Sequence, residues 1–417
     1  MPSHNQRHAA LIILFMLLAI LASAQTFTVI HTFTGSADGG YPYAGLVVDQ
    51  SGNLYGTANV GGRGTCPPQN IGCGTVFKMA KTKSGWTFQR LYAFRGGNDG
   101  QGPYGPVTLR PDGSLYGSTV DGGNDNCPSG CGLVYVVKPP AASCETACGW
   151  TESVLYRFQG NTDGFYPIGA VTFDSAGNLY GTTEQGGSIG PGTVYELKPS
   201  GSKWTESIIW NFTGNDDGGN PYNGVTLDGA GKIFGTTLAG GVNNSGSVFE
   251  LTRSGHAWTE TTVHDFYGSA DGIFPLPALI VEKSGKLIGA TAAGGTRDGG
   301  TVYSLTPSKS GWTLKTLYDL PGPGGEPGPW AKLTMDAAGN LFGTTQGYPP
   351  AKDYGTVFKL THTSSGWKYT LLYHFTGGSD GEVPYSTLVF GPNGKLYGTT
   401  QLSENGAGYG TVFEITP

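Results

Sequence analysis

From residue 26 onward, short stretches in which apolar and polar residues alternate recur between clusters of Gly, Pro, Asn and Asp, and no segment shows the spacing of an amphipathic helix. One period, Gly224 to Phe266, contains four strand signals. Gly224 to Asp228 is short and apolar, Lys232 to Thr237 follows a Gly-containing turn, Gly246 to Thr252 is β-branched and aromatic, and Trp258 to Phe266 alternates. Between the first two stands Asp228-x-x-Gly231, repeated as Asp49-x-x-Gly52, Asp174-x-x-Gly177 and Asp336-x-x-Gly339. In such a turn the Asp carboxylate accepts backbone N–H groups and Gly takes the positive φ, which predicts a tight hairpin.

Two motifs fix the period. An apolar residue, Gly, then Thr, Ser or Ala recurs seven times, from Tyr55-Gly56-Thr57 through Phe234-Gly235-Thr236 to Tyr397-Gly398-Thr399. Each is followed by a partner of the type Gly74-Thr75-Val76-Phe77 or Gly410-Thr411-Val412-Phe413. The spacing settles at 54 to 55 residues beyond two cysteine-bearing insertions. Four strands per repeat and seven repeats predict an all-β, seven-bladed β-propeller with four antiparallel strands per blade. The strand after each Pro-containing loop, such as Leu279-Ile280-Val281, is apolar on both faces and belongs near the axis. The strand that begins with Trp mixes rings with charges and belongs at the outer edge.

Only six Trp-led strands are present, at Trp86, Trp150, Trp204, Trp258, Trp312 and Trp367, and the chain stops after the third strand of the seventh repeat. The missing outer strand is found at the other end, where Thr26 to Phe33 aligns with Thr87 to Phe94. The N-terminal strand is therefore predicted to complete the last blade and close the ring.

The repeat resembles that of the Gloeo/Verruco (GloVer) tandem-repeat proteins, whose hallmark is Asn-Leu-Tyr-Gly-Thr-Thr, then Gly-Gly, then Gly-Thr-Val-Phe. Asn178 to Thr183, Gly186-Gly187 and Gly192-Thr193-Val194-Tyr195 match it closely, and the resemblance spans about residues 26 to 417. It implies an exported bacterial protein and no particular activity.

Composition and charge narrow the rest. The chain has 72 Gly, 22 Tyr and 19 Phe with 13% charged residues and a net charge of −6. Ring surface on that scale argues against disorder. Without a Lys/Arg cluster, neither nucleic acid nor an anionic membrane surface is an expected partner. The apolar run Ala9 to Ala22 follows Arg7 and His8 and ends in Ala22-Ser23-Ala24, the pattern of a cleaved signal peptide. Residues 1–24 are read as that peptide and 25–417 as one propeller domain, without a membrane span, monomeric, and secreted, periplasmic or on the cell surface. In such a compartment Cys66 and Cys73, Cys127 and Cys131, and Cys144 and Cys148 read as disulfide partners by proximity. Zinc held by the last four thiolates is the rival reading.

Candidate chemistry is sparse. A Gly-x-x-Asp-Gly-x-x-Pro loop precedes most inner strands, with Asp38, Asp99, Asp163, Asp217, Asp271 and Asp380; the sixth repeat departs, reading Gly325-Glu326-Pro327. Each loop offers one carboxylate, whereas calcium needs several oxygen ligands, so turn capping is expected, with Asp216 and Asp217 the remaining calcium candidates. No other cofactor is expected. The histidines after residue 25 (His31, His256, His264, His362 and His374) lie in or just before outer strands, away from the channel where a propeller lyase or hydrolase would need them.

The Pro-aromatic steps at Tyr43, Tyr104, Tyr222, Trp330 and Tyr385, with Ile168 and Leu276 in the other two repeats, are expected around the channel mouth. There they either stack on a ligand or pack the blades. Lys332 breaks a register position held elsewhere by Gly45, Pro106, Ala170, Gly224, Ala278 and Thr387. These six residues, Tyr43, Tyr104, Tyr222, Trp330, Lys332 and Tyr385, form the predicted ligand site, with no catalytic residue assigned. The function expected is a binding or interaction propeller for a glycan or an extended peptide. A carbohydrate- or peptide-acting lyase or hydrolase and a structural envelope component are the alternatives.

Overall fold

The computed structural model describes residues 25–67, 70–141, 149–268, 270–322, 328–347 and 353–417. The signal-peptide segment, Cys144, Cys148 and Gly325-Glu326-Pro327 lie outside them. The strands form seven four-stranded antiparallel sheets arranged as the blades of a propeller, six of them running in chain order from axis to rim. Blade 4 is representative, with strands Thr226–Leu227, Ile233–Thr237, Ser247–Ser254 and Ala257–Asp265. The inner strand is only two residues long. The predicted hairpins join it to the second strand: the Asp49 carboxylate accepts the amides of Ser51 and Asn53 at 2.9 Å, and the Gly52 amide donates to the Asp49 carbonyl.

The closing blade is built as expected. Phe27–Thr32 pairs antiparallel with Thr411–Ile415, so the first strand of the chain is the outer strand of blade 7. A detail of register shows how closely it imitates the others. In every blade the third and outer strands slip by one residue at the motif Val, leaving one extra aliphatic residue on the outer strand: Leu91, Leu155, Ile209, Val263, Leu317 and Leu372. The N-terminal strand carries the same bulge, with Ile30 as the extra residue. A bulge of this kind bends the strand and sharpens its twist.

The two motifs are packing devices. A Cβ on Gly56 would lie 2.7 Å from the tip of the Phe77 ring, and one on Gly343 would lie 2.7 Å from that of Phe358. The glycine of Tyr-Gly-Thr therefore makes room for the ring of Gly-Thr-Val-Phe on the neighbouring strand. The glycine that opens the second motif has φ of +102° at Gly192 and +87° at Gly246. A Cβ there would lie 2.7 Å and 2.6 Å from the Cδ of Pro221 and Pro275, prolines that begin the next blade. The motif threonines complete the link. Thr57 Oγ1 donates to the Gly105 carbonyl, and Thr399 Oγ1 to the carbonyls of Pro42 and Ala44 across the closure.

Seven hydrophobic clusters follow, each shared by two adjoining blades. Phe234, Val248 and Phe266 of blade 4 pack on Leu279, Leu287 and Tyr303 of blade 5, all buried. At the closure, Phe33, Leu46 and Phe77 meet Tyr397 and Val412. Cys66–Cys73 and Cys127–Cys131 are disulfides, and both lie in loops outside the strands. Among the described residues no helix is long and apolar enough to cross a membrane.

Candidate functional site

The turn aspartates occupy the loops that enter each blade. Asp163 accepts the amides of Gln159 and Gly160 and the Tyr156 hydroxyl. Asp217 accepts the Thr213 amide and hydroxyl and the Trp210 indole, while the Asp216 carbonyl accepts from Thr262. The Asp217 oxygens thus serve their own loop, and no group of three His, Cys, Asp or Glu gathers among the described residues. Three histidines pair with carboxylates away from the axis: His31 with Asp38 at 3.2 Å, His264 with Asp271 at 2.9 Å and His374 with Asp353 at 3.2 Å.

Toward the axis, the Pro-aromatic step brings five rings into one closed circuit. Tyr43 stacks on Tyr104 with centroids 4.3 Å apart; Tyr104 meets Tyr222 edge to face at 6.2 Å, and Tyr222 meets Trp330 at 6.3 Å. Trp330 meets Tyr385 at 5.4 Å, and Tyr385 returns to Tyr43 at 5.7 Å. Edge-to-face and offset stacking are the favoured geometries for such pairs. The rings turn their faces chiefly to one another, and the space among them is about 60 Å³. Ile168, from blade 3, also lines this space.

The hydroxyls are tied as well. Tyr222 donates to Tyr104 at 3.0 Å, Gln401 Nε2 donates to the Tyr43 hydroxyl at 2.7 Å, and Gln346 Nε2 to that of Tyr385 at 2.5 Å. Burial pushes the Tyr43 phenol up to about 12, helped by Tyr222 and Tyr41, and pushes Tyr104 and Tyr385 higher still. All three remain neutral phenols, accepting from Gln401, Tyr222 and Gln346 respectively. The Trp330 Nε1, by contrast, is buried with no hydrogen-bond partner among the described residues.

Gln346, Gln401 and the half-buried Glu184 were missed by sequence reasoning. All three follow the Thr-Thr of the first motif, a position that is polar in four repeats (Asn59, Glu184, Gln346 and Gln401) and apolar in the other three. That contrast within the repeat is the signal that could have found them. Burial raises the Glu184 carboxyl, and burial also raises Tyr222, with the Glu184 charge adding to it.

Lys332 is not part of the aromatic circuit. Its side chain lines a separate cavity of about 560 Å³, reached along the inner strands toward the Asp174 and Asp228 turns, and these turns close the far ends of those strands. The aromatic ring therefore divides the channel into a constricted mouth and a roomier opposite end.

The repeat family accounts for this architecture. The sequence matches the Gloeobacter/Verrucomicrobia repeat over residues 16–152, 125–327 and 268–417. The chain belongs to this family. No curated protein matches it at the level of sequence. Among solved structures, the extracellular domain named as that of a one-component system from B. thetaiotaomicron aligns with a TM-score of 0.55 at 12% identity, over 94% of this chain and 39% of the other. PorZ, named as a surface component of the type-IX secretion system of Porphyromonas gingivalis, aligns with a TM-score of 0.52 at 15% identity, over 93% of this chain and 48% of the other. The chain thus spans less than half the length of either, and at these identities the likeness is one of fold alone.

Proposed function

We propose that the protein is an exported, non-catalytic binding propeller, and that its ligand, a glycan or an extended peptide, lies across the aromatic ring at the channel mouth. One observation carries the reading. Five rings drawn from blades 1, 2, 4, 6 and 7 converge at a single point, and the largest of them holds a buried indole N–H that finds no acceptor among the described residues. A buried unpaired donor costs about 1 to 3 kcal/mol, which an acceptor on a ligand would offset. Because the faces are turned inward, the ligand would rest on ring edges and on Gln346, Gln401 and Glu184 rather than thread between rings. The disulfides support export, and the surface and extracellular assignments of two propellers of similar fold agree with it.

The test is titration of the mature chain with neutral oligosaccharides and with unstructured peptides, read by tryptophan fluorescence and calorimetry. Binding with a fluorescence change, weakened about tenfold by Trp330→Phe at an unchanged melting temperature, is the expected result. Binding that ignores Trp330→Phe, or no binding to either class, would overturn the reading.

A further inference from the structure

The cavity behind the aromatic ring is built from a register position that the repeat keeps small. Pro106, Ala170, Gly224, Ala278 and Thr387 occupy it around the axis, and Lys332 stands in the sixth blade. The small residues have a steric reason: a Cβ on Gly224 would collide with the Ala170 carbonyl of the adjoining inner strand. A four-carbon side chain ending in an ammonium at such a position can go only into the channel.

Elsewhere several lysines reach carboxylates, and the partly buried Lys78 and Lys359 lie over the rings of Tyr55 and Phe342. Lys232 reaches Glu250, Lys395 reaches Glu414, Lys198 reaches Glu196 at 2.9 Å, and Lys286 reaches Glu282 at 3.1 Å. Lys332 has neither ion pair nor hydrogen bond among the described residues, and it is the one cation lining the cavity. Burial alone pulls its ammonium below the ordinary lysine value, with no carboxylate opposing it. Leaving a charge desolvated and unpaired is expensive, so the arrangement suits an anion brought in from outside.

We propose that this cavity is a second binding site, separate from the aromatic ring, for a carboxylated sugar whose carboxylate pairs with Lys332. The volume, about 560 Å³, lies in the range of small-ligand sites. The rest of the wall favours a sugar over an apolar acid. Asp174 and Asp228 stand at the outer rim. Asp228 binds its own turn through Oδ1 and keeps Oδ2 to accept hydroxyl protons, whereas both Asp174 oxygens are engaged, Oδ1 by the turn amides and Oδ2 by Asn178 and Tyr180. Phe173 offers a ring beside them. A uronic acid presents a carboxylate at one end and hydroxyl donors around the remainder, matching a cation in depth and acceptors at the rim. The same acidic rim disfavours a polyanion.

The site can be tested apart from the ring. The mature chain is titrated by calorimetry with glucuronate, galacturonate, glucose, galactose and acetate. Lys332 is in parallel acetylated with a limiting amine-reactive ester and quantified by mass spectrometry with and without sugar. Uronates should bind at least tenfold more tightly than the neutral sugars and than acetate, and should protect Lys332 from acetylation. Lys332→Met should remove the uronate preference while melting at or above the wild-type temperature, since it deletes an uncompensated charge; Lys332→Arg should retain part of it. Equal affinity for uronates and neutral sugars, an unprotected Lys332, or full uronate binding by folded Lys332→Met would each overturn the proposal. None of these results bears on Trp330, so the ring reading can stand or fall independently.

Discussion

The seven blade interfaces share their motif glycines, prolines and buried rings, yet they part at one position of the outer strand. That position lies opposite Met79 of the third strand in blade 1, Leu197 in blade 3 and Ile415 in blade 7. In blades 5, 6, 7 and 1 it holds Leu314, Tyr369, Phe27 and Phe88, each packed into an apolar interface. Phe27 stacks on Tyr373 of blade 6 at 3.7 Å, and His31 stacks on Phe88 across the closure at 4.4 Å. In blades 2, 3 and 4 the same position holds Glu152, Glu206 and Glu260. Each of these faces the loop aspartate of the preceding interface, Asp99, Asp163 or Asp217. One half of the ring is fastened by side chains that want only contact, the other by carboxyls that must manage charge. Burial pushes all three glutamates up to about 7, and the neighbouring aspartate adds to the rise. The Glu152 and Glu206 Oε1 atoms are buried without a hydrogen-bond partner among the described residues.

The largest expected effect tests the apolar half. Deleting residues 25–34 removes the outer strand of blade 7, exposes the edge of Thr411–Ile415 and strips Phe27 and His31 from two interfaces. An exposed edge of this kind invites pairing with other chains. A loss of melting temperature on the order of ten degrees or more, with aggregation, is expected by calorimetry and light scattering. Melting like the intact mature chain would mean that closure contributes little. Next in size is Phe27→Ala, which should cost about 2 to 4 kcal/mol in chemical denaturation, given a half-buried ring at a packed interface.

The contrast between the halves marks where sequence reasoning reached and where it stopped. Blade number, strand order and the N-terminal closure were legible because each is written seven times, and the one missing Trp-led strand could be found by alignment to Thr87–Phe94. The turn role of Asp49 or Asp217 was legible because Asp and Gly at fixed spacing have one common local use. What could not be read was direction and neighbourhood. The five rings of the Pro-aromatic step were placed at the channel mouth, but that their faces meet each other depends on the diameter of the closed ring. Lys332, only two residues from Trp330, lies beyond the ring because successive residues of the inner strand descend along the axis. The pairing of Glu152 with Asp99 joins residues 53 apart on different blades, and no local pattern announces it.

The acidic half gives the molecule a pH signature. Glu152, Glu206 and Glu260 hold their protons to about 7 when folded and release them near 4.5 when unfolded. Between those values the folded chain binds more protons. The stabilisation is therefore complete below about 4.5 and is lost as the pH rises through 7. The three carboxyls are half-exposed, and solvent screening reduces each to about 1 kcal/mol. Thermal melts from pH 5 to pH 8 should fall steadily. Below pH 4 the trend should reverse, because hydrogen bonds within their turns hold Asp49 and Asp336 below their ordinary value, so their contribution is lost as they protonate. A flat profile between pH 5 and 8 would remove the proposed difference between the halves. Glu206→Leu, which imports the blade 5 solution into blade 3, should raise stability at pH 8 by about 1 kcal/mol and change little at pH 5. Equal effects at both pH values would show that it acts through packing.

The smallest effect concerns the disulfides, which belong to the acidic half in a particular way. A Cβ on Gly96 would touch Cys66 Sγ at 2.6 Å, and one on Gly160 would touch Cys127 Sγ at 2.6 Å. Each bridge therefore lies against the loop that carries Asp99 or Asp163, while at the next interface Pro191 takes that place beside Gly214. The bridges close short loops, with partners 7 and 4 residues apart, so their removal relaxes the unfolded chain less than a long cross-link would. No blade strand depends on them. Reduction should leave the ring folded, with an unchanged far-ultraviolet spectrum, and should act mainly by loosening the two loops. Asp99 and Asp163 would then stand less firmly against Glu152 and Glu206, so the decline in melting temperature between pH 5 and 8 should become shallower, by less than about 1 kcal/mol in total. Glu260 faces a loop without a bridge, and Glu260→Gln should remove the same increment of pH dependence before and after reduction. An increment that shrinks at Glu260 as much as at Glu206 would mean that the bridges act on the whole ring and not on the two loops they touch.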